Sequence, residues 1–136
     1  NLIDIAAKGG NYLLNIGPKS DGTVPQESID RLKDMGEWLK TNGEAIYATT
    51  SRKEYKQGDN IRFTVSKDGK FTYAILTKVG EKTVTLNSVQ PRAGSKLSML
   101  GNAQPLTWKS TGNGVTVELP AALPGKYAWF LRIENN

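Results

Sequence analysis

The spacing of apolar residues changes once along this chain, from a helical period of about 3.6 to a strand period of 2. The change falls between residues 44 and 52. No single layer of secondary structure serves both patterns, so the reading divides the chain into residues 1–47 and 48–136. In the first part, Leu2–Ala7 are apolar at most positions and stop at Lys8-Gly9-Gly10, a basic residue followed by glycine, as at the end of a helix. Asn11–Pro18 is a nearly continuous apolar run bounded by glycines, the pattern of a strand buried on both faces. Thr23 and Gln26 are spaced as a capping box, with Pro25 in the first turn and Ile29, Leu32, Gly36 and Leu39 following at helical spacing to Asn42-Gly43. A glycine inside a helix costs about 1 kcal/mol against alanine, so Gly36 predicts close packing at that point.

One strand and two helices cannot close a sheet. The chain also opens on Asn1 and runs directly into an amphipathic segment, which reads as entry partway through an element and predicts a fragment of a longer polypeptide. The second part, by contrast, has enough alternation to bury a core of its own. Ile61, Phe63 and Val65 alternate with polar residues, Lys67-Asp68-Gly69-Lys70 supplies a turn, and Phe71, Tyr73 and Ile75 alternate again, which predicts a hairpin. Further strands are expected at 83–87, 96–100, 106–109, 114–119 and 127–134. Six to eight short strands imply a small antiparallel β-sandwich, with Phe63, Tyr73, Ile75, Leu100, Trp108, Val117, Trp129 and Leu131 in its core.

Composition removes whole classes of chemistry. There is no His and no Cys, so Cys/His zinc sites, Ser-His-Asp triads, Cys-His nucleophiles and disulfides have no residues to form from. No metal or cofactor is expected. The net charge is +5, but the Lys and Arg residues are scattered, with only Arg52-Lys53 adjacent, and nothing reads as nucleic-acid binding. No run approaches the roughly 18 apolar residues of a membrane span, so no membrane contact is expected, and no leader segment is visible in residues 1–30.

The ordered series from Lys8-Gly9-Gly10-Asn11-Tyr12-Leu13-Leu14-Asn15-Ile16-Gly17-Pro18 through Asp21-Gly22-Thr23-Val24-Pro25, Gly36-Glu37-Trp38-Leu39 and Asn42-Gly43-Glu44-Ala45-Ile46-Tyr47 resembles the end of the catalytic domain in α-L-fucosidases of glycoside hydrolase family 29. Tyr73-Ala74-Ile75, Ser98-Met99-Leu100-Gly101, Leu106-Thr107-Trp108 and Tyr127-Ala128-Trp129 are similar to the C-terminal sandwich of the same enzymes. The resemblance covers nearly the whole chain. It implies the last βα unit of a TIM (β/α)8 barrel, with residues 11–17 as the last strand and 23–42 as the last helix, followed by an accessory sandwich. It further implies retaining hydrolysis of terminal α-L-fucose by an Asp nucleophile and a carboxylic acid/base, a pair that such enzymes hold about 5–5.5 Å apart. No motif for that pair, and none of the family's sugar-binding His residues, has a counterpart here. The catalytic residues are therefore expected upstream, the 136 residues alone are expected to be inactive, and the partners are a fucosylated glycan and the missing N-terminal barrel. An extracytoplasmic location is an implication of the resemblance only, and an oligomer is possible.

Strand ends and the loops after them face the active site of a barrel, which makes Asn15 and Asp21 the substrate-pocket candidates. Asn15 could meet a sugar hydroxyl or be a satisfied polar residue inside the barrel. Asp21 could be an acid near the substrate, although an Asp-Gly turn bonding its own backbone is the simpler account. Glu44 is expected to anchor the turn into the second part. Trp108 and Trp129, with Tyr127, could form a sugar-stacking platform or belong to the core, and the alternative function is a non-catalytic carbohydrate-binding or structural module.

Overall fold

The computed structural model describes all 136 residues. Helix α1 (Leu2–Ala7) and helix α2 (Gln26–Asn42) precede a 3-10 turn at Gly43–Ala45, and everything after it is strand and loop. The strands are β1 (Thr49–Thr50), β2 (Lys56–Gln57), β3 (Ile61–Ser66), β4 (Phe71–Leu76), β5 (Thr83–Asn87), β6 (Leu97–Met99), β7 (Pro105–Leu106), β8 (Trp108–Thr111), β9 (Gly114–Glu118) and β10 (Trp129–Glu134). There are ten where six to eight were expected, because three of the additions are two-residue edge pieces. All pairings between them are antiparallel. The main sheet runs β1-β3-β4-β10-β6-β7, with β2 also on β3, and the second sheet runs β5-β9-β8.

The core between the sheets follows from period-two alternation. Phe63, Ala74, Leu131 and Met99 stand side by side across four strands of the main sheet and face Leu86, Val115 and Val117 of the second. Gly114 stands opposite Asn87 within the second sheet, where β5 and β9 approach so closely that a Cβ would collide with the Leu86 carbonyl oxygen. Leu100, Trp108 and Trp129 are only partly buried, at the margins of the predicted core. Gln57 closes an edge: its Nε2 donates to the Thr85 carbonyl (2.8 Å) and its Oε1 accepts from Asn87 N–H (2.7 Å), so one side chain pairs with the open backbone of β5 as a strand would.

The main sheet is the middle of three layers. Its other face presents Tyr73, Ile75 and Phe130 to Ala45 and Trp38, with Ile3 and Ile46 alongside. Trp38 of α2 packs on Phe130 with ring centroids 5.3 Å apart and donates Nε1–H to the Ala128 carbonyl at 3.3 Å. Glu44 anchors the turn as expected, accepting from the Tyr73 hydroxyl at 2.7 Å, and Thr64 Oγ1 donates to the Ala45 carbonyl at 2.8 Å. Burial and the Glu44 carboxylate together push the Tyr73 hydroxyl far above the ordinary phenol range.

Helix α1 is tied to the same face through Asp4, which takes Lys8 Nζ at 2.6 Å and Arg62 Nε at 2.7 Å. These bonds, Lys8 first and Arg62 second, lower the Asp4 carboxyl from 3.8 to about 2. A folded-state value below the unfolded one contributes stability above pH 3.8 that is lost as pH falls through 2. Comparing acid unfolding of the parent with Asp4→Asn should therefore show a stability gap at neutral pH that closes across that window. A gap of constant size would contradict the assignment.

Three local expectations are corrected by the structure. Thr23 does not cap α2: Pro25 occupies the cap position, Gln26 Nε2 turns to Asp30 (2.7 Å), and the Thr23 hydroxyl donates back to Asp21. Gly36 is not at a close approach, since a Cβ there would meet open space. Ile29 and Leu39 of the predicted stripe are half-buried, together with Met35 and Trp38, while Leu32 is exposed. Residues 11–18 form no strand within this chain: no strand of either sheet pairs with them.

Candidate functional site

The segment that should lie nearest the chemistry begins where α1 stops. Gly10 N–H bonds the Ile5 carbonyl (2.9 Å) and Gly9 N–H bonds the Ala6 carbonyl (3.0 Å), with Gly9 at φ +78°. That pairing is a Schellman ending, and it needs the left-handed conformation glycine adopts freely. It sends residues 11–18 away from the helix. Their side chains then divide by alternation: Tyr12 and Leu14 turn toward α2, while Leu13 is 92% exposed on the other side, with Asn15 at the matching alternate position. Leu14 and Ile16 remain 41% and 37% exposed. A run of apolar side chains this open, with unpaired backbone, lacks neighbours on the Leu13 face and is only partly covered on the other.

Between this ribbon and the helices lies a groove of about 360 Å³, lined chiefly by Leu2, Ile3, Tyr12, Leu14, Met35 and Trp38. Tyr127 closes one end. Its φ of +73° sets a tight turn in which Ala128 N–H reaches the Lys126 carbonyl (3.0 Å), and its hydroxyl donates to Asp34 Oδ2 at 3.2 Å. The groove is apolar, and its one carboxylate, Asp34, already has a partner. Such a lining suits packing between a strand layer and a helix layer and offers no acid/base pair.

Asp21 accepts from both the Thr23 hydroxyl (2.7 Å) and the Thr23 N–H (2.9 Å), and these bonds lower its pKa. It holds the turn that leads into α2. Asn15 is exposed. Trp108 and Trp129 lie in different sheets, and both pack against the core between them, with Trp108 Nε1 donating to the Ser95 carbonyl at 3.3 Å. A stacking platform requires ring faces in solvent, so the structure does not assemble one from this pair. Tyr127, 60% exposed, belongs to the groove at the other side of the main sheet. No group of His, Cys, Asp and Glu could hold a metal ion. Trp38 was missed as a site residue. Its signal was present in the Met35, Trp38 and Asn42 spacing of i, i+3 and i+7.

Residues 1–44 match the family described as Alpha-L-fucosidase, and residues 54–134 match the Alpha-L-fucosidase C-terminal domain. Human plasma alpha-L-fucosidase is 38% identical over 146 residues, covering 98% of this chain and 31% of the relative. Bovine tissue alpha-L-fucosidase is 37% identical over 140 residues, covering 97% and 29%. Alpha-L-fucosidase isoenzyme 1 from Paenibacillus thiaminolyticus superposes with a TM-score of 0.84 at 25% identity, over 98% of this chain and 32% of that one. Thermotoga maritima alpha-fucosidase in complex with fucose gives 0.80 at 28% identity, over 96% and 32%. The chain thus spans about a third of the length of its relatives.

The fold is the closing βα unit of a (β/α)8 barrel followed by an antiparallel β-sandwich, an architecture of glycoside hydrolases. Within that class the chain belongs to the alpha-L-fucosidase family.

Proposed function

We propose that these residues complete and brace the catalytic barrel of a retaining α-L-fucosidase, an enzyme that removes terminal α-L-fucose from fucosylated glycans. Residues 1–47 supply the last strand and helix, and 48–136 form the sandwich against which that helix is fixed. The observation that carries the reading is the apolar ribbon at 12–16, open on one side and set over a half-lined groove on the other. Such a surface is costly in water and becomes favourable once neighbouring strands and helices cover it.

The Asp nucleophile and the acid/base then belong to sequence outside residues 1–136. With the barrel closed, Asn15 faces the lumen at the substrate end, and Asp21 shapes the following loop rather than meeting the sugar. An extracytoplasmic site of action fits the family and its relatives named as plasma enzymes. No helix of the chain is long and apolar enough to cross a membrane. The 136 residues alone should release no fucose from an aryl α-L-fucoside, whereas a polypeptide that also carries the rest of the barrel should. Fucose release by the short chain would overturn this placement of the catalytic pair.

A further inference from the structure

The helices cover only part of the outer face of the main sheet. Beyond the Gly43–Ala45 turn, the ends of β4 and β10 and the short strands β6 and β7 leave a cleft of about 410 Å³. That lies within the roughly 300–1,000 Å³ of small-molecule sites. Strand register fixes what lines it. Arg132 stands opposite Tyr73 on one side and Ser98 on the other, Ser98 stands opposite Pro105, and Glu134 stands opposite Phe71. Alternation puts Lys96 on the same face as Ser98. Phe71, Lys96, Ser98, Pro105, Arg132 and Glu134 accordingly share one concave wall.

The charges in this wall are unevenly matched. Glu134 is held by Arg92 at 2.6 Å, which lowers its pKa. Arg132 lies over the Phe71 ring at 4.0 Å, with its Nε 3.0 Å from Glu44 Oε1. Stacking on Phe71 orients the guanidinium beside Glu44, and its two terminal nitrogens, the edge that takes a carboxylate in parallel bonds, make no hydrogen bond within the chain. Lys96 makes no ion pair. An oxyanion therefore complements Arg132 and Lys96, while a hydroxyl donor complements Glu134 and an apolar C–H face complements Pro105. An acidic peptide meets the first demand but must bring the hydroxyl and the apolar face from separate, flexible side chains. A sugar acid meets all three.

We propose that this cleft binds a hexose bearing a carboxylate, with the carboxylate on Arg132 and Lys96 and ring hydroxyls on Ser98 and Glu134. All its lining residues lie within 71–134, so the proposal does not rest on where the catalytic pair lies. Its test is a titration of the 136-residue protein with methyl β-D-glucuronide, read by amide chemical shifts, with methyl β-D-glucoside and sodium acetate as comparison ligands. The glucuronide should shift residues 71, 96–98, 132 and 134 saturably, and the glucoside and acetate should each bind about tenfold more weakly or worse, the loss of one charge-assisted contact set. Lys96 is exposed, so Lys96→Glu should leave the rest of the spectrum unchanged and weaken the glucuronide by at least about tenfold. The proposal is overturned if the glucuronide causes no saturable shift at these residues, if acetate matches it, or if Lys96→Glu binds it as well as the parent does.

Discussion

Phe130→Ala should destabilise the protein by about 3–5 kcal/mol, the usual cost of removing a buried phenylalanine and leaving its cavity. Phe130 is fully buried on β10, on the face of the main sheet that meets the helices. It touches Tyr73, Ile75 and Ala128 of its own cluster and carries Trp38 of α2 on its ring. Removing the ring takes away the floor on which the helix sits. Since typical stabilities are about 5–15 kcal/mol, a loss of this size lowers the melting temperature by roughly 10–20 °C. Trp38 provides a second, local signal. Its emission should shift to the red in the variant before global unfolding, because its neighbour is gone while Trp108 and Trp129 stay packed against the other core. A variant of near-parental stability with unchanged emission would mean that the sandwich and the barrel end are not mechanically joined at this point.

That joint is what gives the sandwich a role. An antiparallel sheet ordinarily has one wet face, yet β4 is buried along nearly its whole length, because the second sheet covers one side and α1, the 3-10 turn and α2 cover the other. The sequence showed one half of this plainly. Phe71, Tyr73 and Ile75 alternate with Thr72, Ala74 and Leu76, and the expected single core joins Tyr73 and Ile75 to Phe63 and Leu131, which lie on the opposite face of the sheet. Thr72 and Ala74 are small and weakly apolar, so a pattern of hydrophobicity cannot distinguish a covered small residue from an exposed one.

Other parts were legible for good physical reasons. The 61–66 and 71–76 hairpin follows from clean alternation around Asp68-Gly69, and Gly69 does adopt a positive φ of +74° there. Helix α2 runs over nearly the predicted residues, but its cap is Pro25 and not Thr23. Thr23 and Gln26 have the right spacing for a reciprocal box, yet Asp21 offers the Thr23 hydroxyl a charged acceptor two residues away, and that bond is the stronger competitor. The groove was not legible at all. Its walls come from α1, the ribbon, α2 and Tyr127, which are separated by up to more than a hundred positions, and nothing local announces that they meet. The Gln57 clasp on β5 is hidden for the same reason.

Amide hydrogen exchange at residues 12–16 reports whether this ribbon gains strand partners in the longer polypeptide. In the 136-residue chain these amides have no strand partner, so they should exchange close to the rate of an unstructured segment while β3, β4 and β10 remain protected. In a polypeptide that includes the rest of the barrel, the same amides should become protected by orders of magnitude, to a level comparable with the core strands, as parallel neighbours take up their hydrogen bonds. Protection already present in the short chain, or free exchange persisting in the long one, would contradict the assignment of this ribbon as the closing strand of the barrel.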